Sequence, residues 1–137
     1  MKTLGLDAST TTVGYAFVED KKVIDIGFIP IHKEKTIRDK VEVTLDEINK
    51  LDPFDEIDKI YIEDSLSGFM QGRTSQQTII KLAKFNAVLV YCLEFAYGEI
   101  VIGLNPMTAR KSLFGKARKQ GVSAKDFVKE EINCLYS

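Results

Sequence analysis

Three β-rich runs crowd into the first 31 residues, and the turns between them are too short to hold a helix. They are Thr3 to Asp7, Val13 to Glu19 and Val23 to Ile31, with the polar cluster Asp7-Ala8-Ser9-Thr10 after the first and Asp20-Lys21-Lys22 after the second. Consecutive strands joined so tightly pair antiparallel, so the chain is expected to begin as a meander. One face of such a meander must be covered, and the pattern that follows supplies the cover. Ile37, Val41, Leu45, Ile48 and Leu51 recur at the helical period, and Pro53 ends that stretch. Lys59 to Glu63 reads as a buried strand. Ser75 to Tyr97 is the longest helical pattern, stopped by Gly98, and Ile100 to Leu104 is a fifth strand. Asn105-Pro106 opens a short helix to Leu113. Ser123-x-x-Asp126 is a capping box before a last helix with Phe127, Val128, Ile132 and Leu135 as its apolar stripe. The predicted order is β-β-β-α-β-α-β-α-α, without repeat, linker or low-complexity tract. It implies one α/β domain over residues 1–137, built on a mixed five-stranded sheet flanked by helices.

Several chemistries are excluded by what the chain lacks. No apolar run reaches the ~18 residues of a membrane span, and Met1-Lys2-Thr3-Leu4 leads directly into a strand rather than a charged-then-apolar leader. Cys92 and Cys134 are far apart and in no metal-ligand spacing, which suits reduced thiols and a cytoplasmic protein, and small size fits a bacterial cell or a phage-infected host. His32 is the one histidine, which rules out most Ser-His, Cys-His and multi-histidine metal mechanisms. Any metal site must be made of carboxylates. Net charge is −1, yet Ile100 to Lys125 holds six bases and no acid, so that stretch is +6 and the remainder −7. A basic segment of this kind is a candidate polyanion footprint, or alternatively a solvated helix face.

Two acids stand where an α/β sheet builds its sites. Asp7 closes the first strand and Glu63 the fourth. If those strands are neighbours, both carboxylates lie at one end of the sheet. A carboxylate pair can share a hard divalent cation such as Mg²⁺, with Mn²⁺ as substitute, and a second ion would allow the two-metal arrangement for phosphodiester cleavage. The alternative is two ordinary strand-end acids facing water. Asp64 follows Glu63 directly, and neighbouring side chains on a strand point to opposite faces, so it is read as a supporting acid or loop cap.

The segment Leu4-Gly5-Leu6-Asp7-Ala8-Ser9-Thr10-Thr11-Thr12-Val13-Gly14-Tyr15 resembles the first-strand motif of the RuvC-type Holliday junction resolvases of the RNase H-like superfamily. In that family a strand ends in a catalytic Asp, then come a small-residue turn and a Gly-aromatic second strand. Ile60-Tyr61-Ile62-Glu63 is similar to the family's second acidic motif, the Ser75–Tyr97 helix to its central helix, and Ile102 to Lys119 with Ser123-Ala124-Lys125 to the strand and two helices before its last helix. The resemblance spans nearly the whole chain. It implies an RNase H-like fold, metal-binding catalytic roles for Asp7 and Glu63, and structure-selective, metal-dependent cleavage of four-way DNA junctions. It also implies a homodimer through the 75–97 helix, which matches the nearly all-round apolar second half of that helix.

Other residues take their expected roles from this reading. The loop Leu66 to Arg73 carries apolar residues among glycines, where the family places an aromatic wedge. Phe69 is the candidate, with Leu66 and Met70 behind it and Arg73 placed to meet a phosphate. Thr108, Arg110, Lys111, Lys116, Arg118 and Lys119 are the expected phosphate contacts. The sequence departs from the family at its end. The family carries a further pair of acids on one more C-terminal helix, whereas this chain stops at Ser137, so a C-terminally truncated or naturally short form is expected. Asp126, Glu130 and Glu131 precede that missing helix and inherit no role. Two alternatives remain from the sequence: a branched-DNA binder without catalysis, and a fragment of an actin-like ATPase, whose first phosphate loop resembles Asp7 to Thr12.

Overall fold

The computed structural model describes residues 1–63 and 75–105. By internal contacts the chain divides into two compact units, Met1–Gly103 and Leu104–Ser137. The described elements run β1 (Lys2–Ala8), β2 (Thr12–Glu19), β3 (Lys22–Pro30), α1 (Ile37–Leu51), β4 (Lys59–Glu63), α2 (Gln76–Tyr97) and β5 (Val101–Leu104). This is the predicted order over its first seven elements; the two further helices expected after Asn105 lie outside the described residues.

The five strands form one mixed sheet in the order β3-β2-β1-β4-β5. β1 and β3 each pair antiparallel with β2, and β1 is parallel to β4. The β2–β3 turn is built on Asp20 and Lys21, both in the left-handed region at φ 51° and 68°. Two such residues give the hairpin turn whose twist matches its strands. The turn sets Glu19 opposite Lys22, but Ile24 is an extra residue on β3, so beyond it Phe17 faces Asp25 and Gly14 faces Phe28.

Alternation decides which face is covered. Leu4, Leu6 and Ala8 of β1, Val13 and Phe17 of β2, Ile29 of β3 and Ile60 and Ile62 of β4 are buried together. Val41 and Ile48 of α1 and Phe85, Leu89 and Leu93 of α2 complete this core. The two helices therefore pack on the same, inner face. Tyr15 also lies inward, its ring edge-on to Phe17 at 5.8 Å between centroids. Its phenol crosses the backbone of its β3 partner Gly27, where an added Cβ would stand 2.7 Å from the hydroxyl oxygen.

Both helices start at the same end of the sheet. Thr36 caps α1, its Oγ1 accepting from the Asp39 N–H at 3.1 Å, and the Lys40 ammonium donates to the Thr10 carbonyl beyond β1. At the other end, Asp52 closes α1 and meets Lys2 at the start of β1 at 3.1 Å. Ser75 caps α2, and Gly98, at φ 68°, terminates it with an N–H to the Glu94 carbonyl. Pro53 follows the C-cap of α1, as expected. Leu45, on the stripe read from the sequence, packs partly buried against the core, and the wholly buried residue beside it is Thr44. Its hydroxyl is satisfied by the Lys40 carbonyl at 2.8 Å.

Candidate active site

The first acid sits one residue inside its strand rather than at its tip, because β1 continues to Ala8. Register then fixes its neighbours. Leu6 is level with Ile62 across the parallel β1–β4 pair, so one step further Asp7 is level with Glu63. Leu6 and Ile62 point into the core, so Asp7 and Glu63 share the opposite, outer face. Adjacent strands lie ~4.8 Å apart, so the two residues are backbone neighbours across the β1–β4 pair. Both stand at the carboxyl ends of parallel strands, where open α/β sheets hold their ligands.

The turn after β1 is built by side chains. Ser9 Oγ accepts from the Thr12 N–H at 3.0 Å and the Thr11 N–H at 3.3 Å and donates to the Thr12 carbonyl at 2.9 Å. The Ile31 N–H adds a bond to the Thr11 carbonyl at 2.9 Å. With the Lys40–Thr10 contact this fixes the loop beside Asp7. Asp7 itself is exposed, and among the described residues its carboxylate has no hydrogen-bond or ion-pair partner. Asp7 and Glu63, on neighbouring strands, offer only hard carboxylate oxygens. That chemistry fits Mg²⁺ or Mn²⁺ with several waters retained. Among the described residues no cluster of three or more His, Cys, Asp or Glu could hold a metal.

The same end of the molecule carries charge that the sequence reading missed. The β3–α1 connection and the first turn of α1 hold Lys33, Lys35, Arg38 and Lys40 against Glu34 and Asp39. Arg38 pairs with Glu42 at 3.2 Å and Lys40 with the Thr10 carbonyl. Lys33 and Lys35 are exposed and have no ion-pair partner among the described residues. The signal was present as four bases in eight positions, but the mixed acids hid it in a charge count. Asp64, Leu66, Phe69, Met70 and Arg73 lie outside the described residues. So do Thr108, Arg110, Lys111, Lys116, Arg118 and Lys119.

Known proteins resemble the chain over most of its length. No protein-family model matches the chain. The crossover junction endodeoxyribonuclease RuvC of Aliarcobacter butzleri is 30% identical over 129 residues, covering 90% of this chain and 79% of the relative. The chain belongs to the RuvC family. The RuvC of Campylobacter hominis is 25% identical over 136 residues, covering 96% of this chain and 82% of its own. Among solved structures, Thermus thermophilus RuvC in complex with a Holliday junction substrate superposes with a TM-score of 0.65 at 15% identity, over 85% of this chain and 73% of that one. The yeast mitochondrial Holliday junction resolvase Ydc2 gives 0.58 at 19% identity, over 96% and 60%. These structures share the fold, an RNase H-like five-stranded mixed sheet.

Proposed function

We propose that this RuvC-family chain cuts branched DNA at four-way junctions by metal-dependent hydrolysis, with Asp7 and Glu63 as the groups that hold the metal. The reading is supported by the register of β1 and β4, in which Leu6 is level with Ile62, so that Asp7 and Glu63 follow as neighbours on the outer face of the sheet. A divalent ion bound there supplies Lewis-acid polarisation of a phosphate and activation of water. The chain's own parts position the substrate. Lys40 and Ser9 hold the turn beside Asp7 rigid, and the exposed bases at this end draw the phosphate backbone in. Phe69 and Arg73, and then Arg110, Lys111, Lys116, Arg118 and Lys119, are proposed as further DNA contacts from the sequence alone.

The test is cleavage of a synthetic four-way junction in Mg²⁺ by the chain and by its Asp7→Asn variant. We expect cutting by the chain and a fall of at least ~100-fold in the variant, the scale of one electrostatic group acting on developing charge, while junction binding in EDTA is retained. A variant that cuts at the unaltered rate overturns the reading. The same assay separates the other reading open from the sequence, a branched-DNA binder without catalysis. Tight junction binding with no cutting by the unaltered chain in Mg²⁺ or Mn²⁺ selects it.

The proposal includes a homodimer. The inner side of α2 is buried, but Ile80, Val88, Tyr91 and Phe95 fall on one outward face, with Tyr91 69% and Phe95 84% exposed. A stripe of that size on a helix is a candidate for a two-fold interface. Sedimentation at micromolar concentration is expected to show a dimer that a Tyr91→Lys, Phe95→Glu double variant dissociates. A monomeric unaltered chain refutes it.

A further inference from the structure

The outward face of α2 is apolar except at one place. Ile80, Ala87, Val88, Tyr91 and Phe95 are exposed along it. Lys84 is exposed on the same face, one turn after Ile80 and one turn before Val88. Ile80, Lys84, Ala87 and Tyr91 alternate four and three residues apart, the spacing of a seam between two helices. α2 itself does not neutralise the lysine. Its single acid is Glu94, more than two turns further on, and Glu94 Oε1 accepts from the Val101 N–H at 3.2 Å. Among the described residues Lys84 has no ion-pair or hydrogen-bond partner.

A two-fold pairing through this face decides what the lysine meets. Asp7 and Glu63 lie at the end of the sheet where α2 begins. Two such sites act together on one DNA molecule only when they face the same way, so the axis relating the copies runs along α2 rather than across it. The two helices then lie side by side in one direction, and each residue of the face is level with its own counterpart. Ile80 meets the second copy's Ile80 and Tyr91 the second copy's Tyr91, contacts between like apolar groups. Lys84 meets the second copy's Lys84. Packed helices have axes ~8–10 Å apart, about one screening length in physiological salt, so the two ammonium groups repel each other. Ala87, the next residue along the seam, is small and permits that close approach. A lysine in such a seam weakens the helix pair unless its charge is met. Side chains on a helix lean toward its N-terminus, so both ammonium groups lean toward the end that carries Asp7 and Glu63. Two cations related by the axis, with no acid of α2 beside them, are matched by an oxyanion with several acceptor oxygens.

We propose that the two Lys84 ammonium groups form a phosphate seat on the two-fold axis, complete only in the dimer, so that a phosphate-type oxyanion and the second copy are bound together. A free phosphate and a backbone phosphate of DNA share this chemistry. The seat rests on the homodimer reading above. By linkage, the oxyanion tightens the dimer by the factor by which dimerisation tightens the oxyanion.

Lys84 is exposed, so replacing it spares the core. Sedimentation equilibrium in EDTA compares the unaltered chain with Lys84→Gln and Lys84→Arg. Each is run in potassium chloride, in potassium phosphate of the same ionic strength, and in chloride with a short oligothymidylate. We expect phosphate to tighten the unaltered dimer ~10-fold over chloride, the scale of an ordinary coupling between two sites. Lys84→Gln should dimerise ~10-fold more tightly than the unaltered chain in chloride, once the like charges leave the seam, and should respond less than twofold to phosphate. Lys84→Arg keeps the charge and should keep the phosphate response. A response to both anions assigns the seat to any phosphate, and a response to the oligonucleotide alone, absent in Lys84→Gln, assigns it to the DNA backbone. An unaltered dimer that neither anion tightens overturns the seat. So does a Lys84→Gln dimer that matches the unaltered one in strength and in response. Both results leave the homodimer standing. A chain that stays monomeric in every solution, with Lys84→Gln monomeric as well, removes the homodimer and the seat with it.

Discussion

The two ends of this sheet use carboxylates in opposite ways. At the amino end of β1, Asp52 is 2% exposed and held by two donors. Lys2 Nζ approaches one oxygen at 3.1 Å, and the Glu56 N–H reaches both, at 3.2 and 3.1 Å. Lys2 is held in turn, its backbone N–H on Asp58 Oδ2 at 2.8 Å and its ammonium 5.3 Å from the Phe17 ring centroid. At the carboxyl end, Asp7 is exposed and has no protein donor among the described residues. A buried charge is tolerable only when its hydrogen bonds are complete. Asp52 therefore closes the joint between α1 and β1 and has nothing left to offer a ligand. Asp7 contributes little to the joint and keeps its oxygens for one.

This contrast is broken most directly by removing each acid and measuring urea unfolding. Asp52→Ala strands the largely buried Lys2 ammonium and should cost ~3–5 kcal/mol, with much of it regained in a Lys2→Met, Asp52→Leu pair. Asp7→Asn should change stability by less than ~0.5 kcal/mol, as at an ordinary surface position. Equal losses at the two ends would dissolve the distinction.

A smaller effect sharpens it. Burial raises the Tyr97 hydroxyl to about 12, helped by the charges of Asp52 and then Asp55 at the same end. The unfolded chain releases that proton near the usual 10 and the folded one only near 12. Between those values the folded state holds more protons, so stability falls as pH rises through that window. Unfolding measured from pH 9 to 12 should show this decline, and Tyr97→Phe should flatten it. A decline of the same size in Tyr97→Phe would place its source elsewhere.

How far the sequence reveals these features depends on whether a local rule or a register decides them. The meander, both helices and the Pro53 and Gly98 stops follow from short-range patterns, and all appear where the residues place them. The level pairing of Asp7 and Glu63 needs β1 beside β4, which the element order and the family motifs imply. The rest depends on distances along the chain that no local pattern encodes. Counting back from the Asp20-Lys21 turn would set Phe28 opposite Val13, facing the core. The extra residue at Ile24 shifts every later pair by one and turns Phe28 outward beside Gly14. Asp52 reads as a polar helix end before Pro53, and only the return of Lys2 from 50 positions away shows it to be buried. In α2 the apolar residues run nearly all the way round, so periodicity could not say that Leu82, Phe85, Leu89 and Leu93 go inward while Tyr91 and Phe95 stay outside.

The Tyr15 phenol lying across Gly27 has a consequence for how this sequence can drift. Losing the tyrosine first uncovers a glycine and leaves the hairpin intact, so that step is open to selection and is followed easily by a larger residue at position 27. Gaining a side chain at position 27 first drives a Cβ to 2.7 Å from the phenol oxygen and pushes the ring off Phe17. The two orders of change reach the same pair of residues through very different intermediates. Among descendants of this chain, Tyr15 and Gly27 should be inherited together or lost in that one sequence of steps.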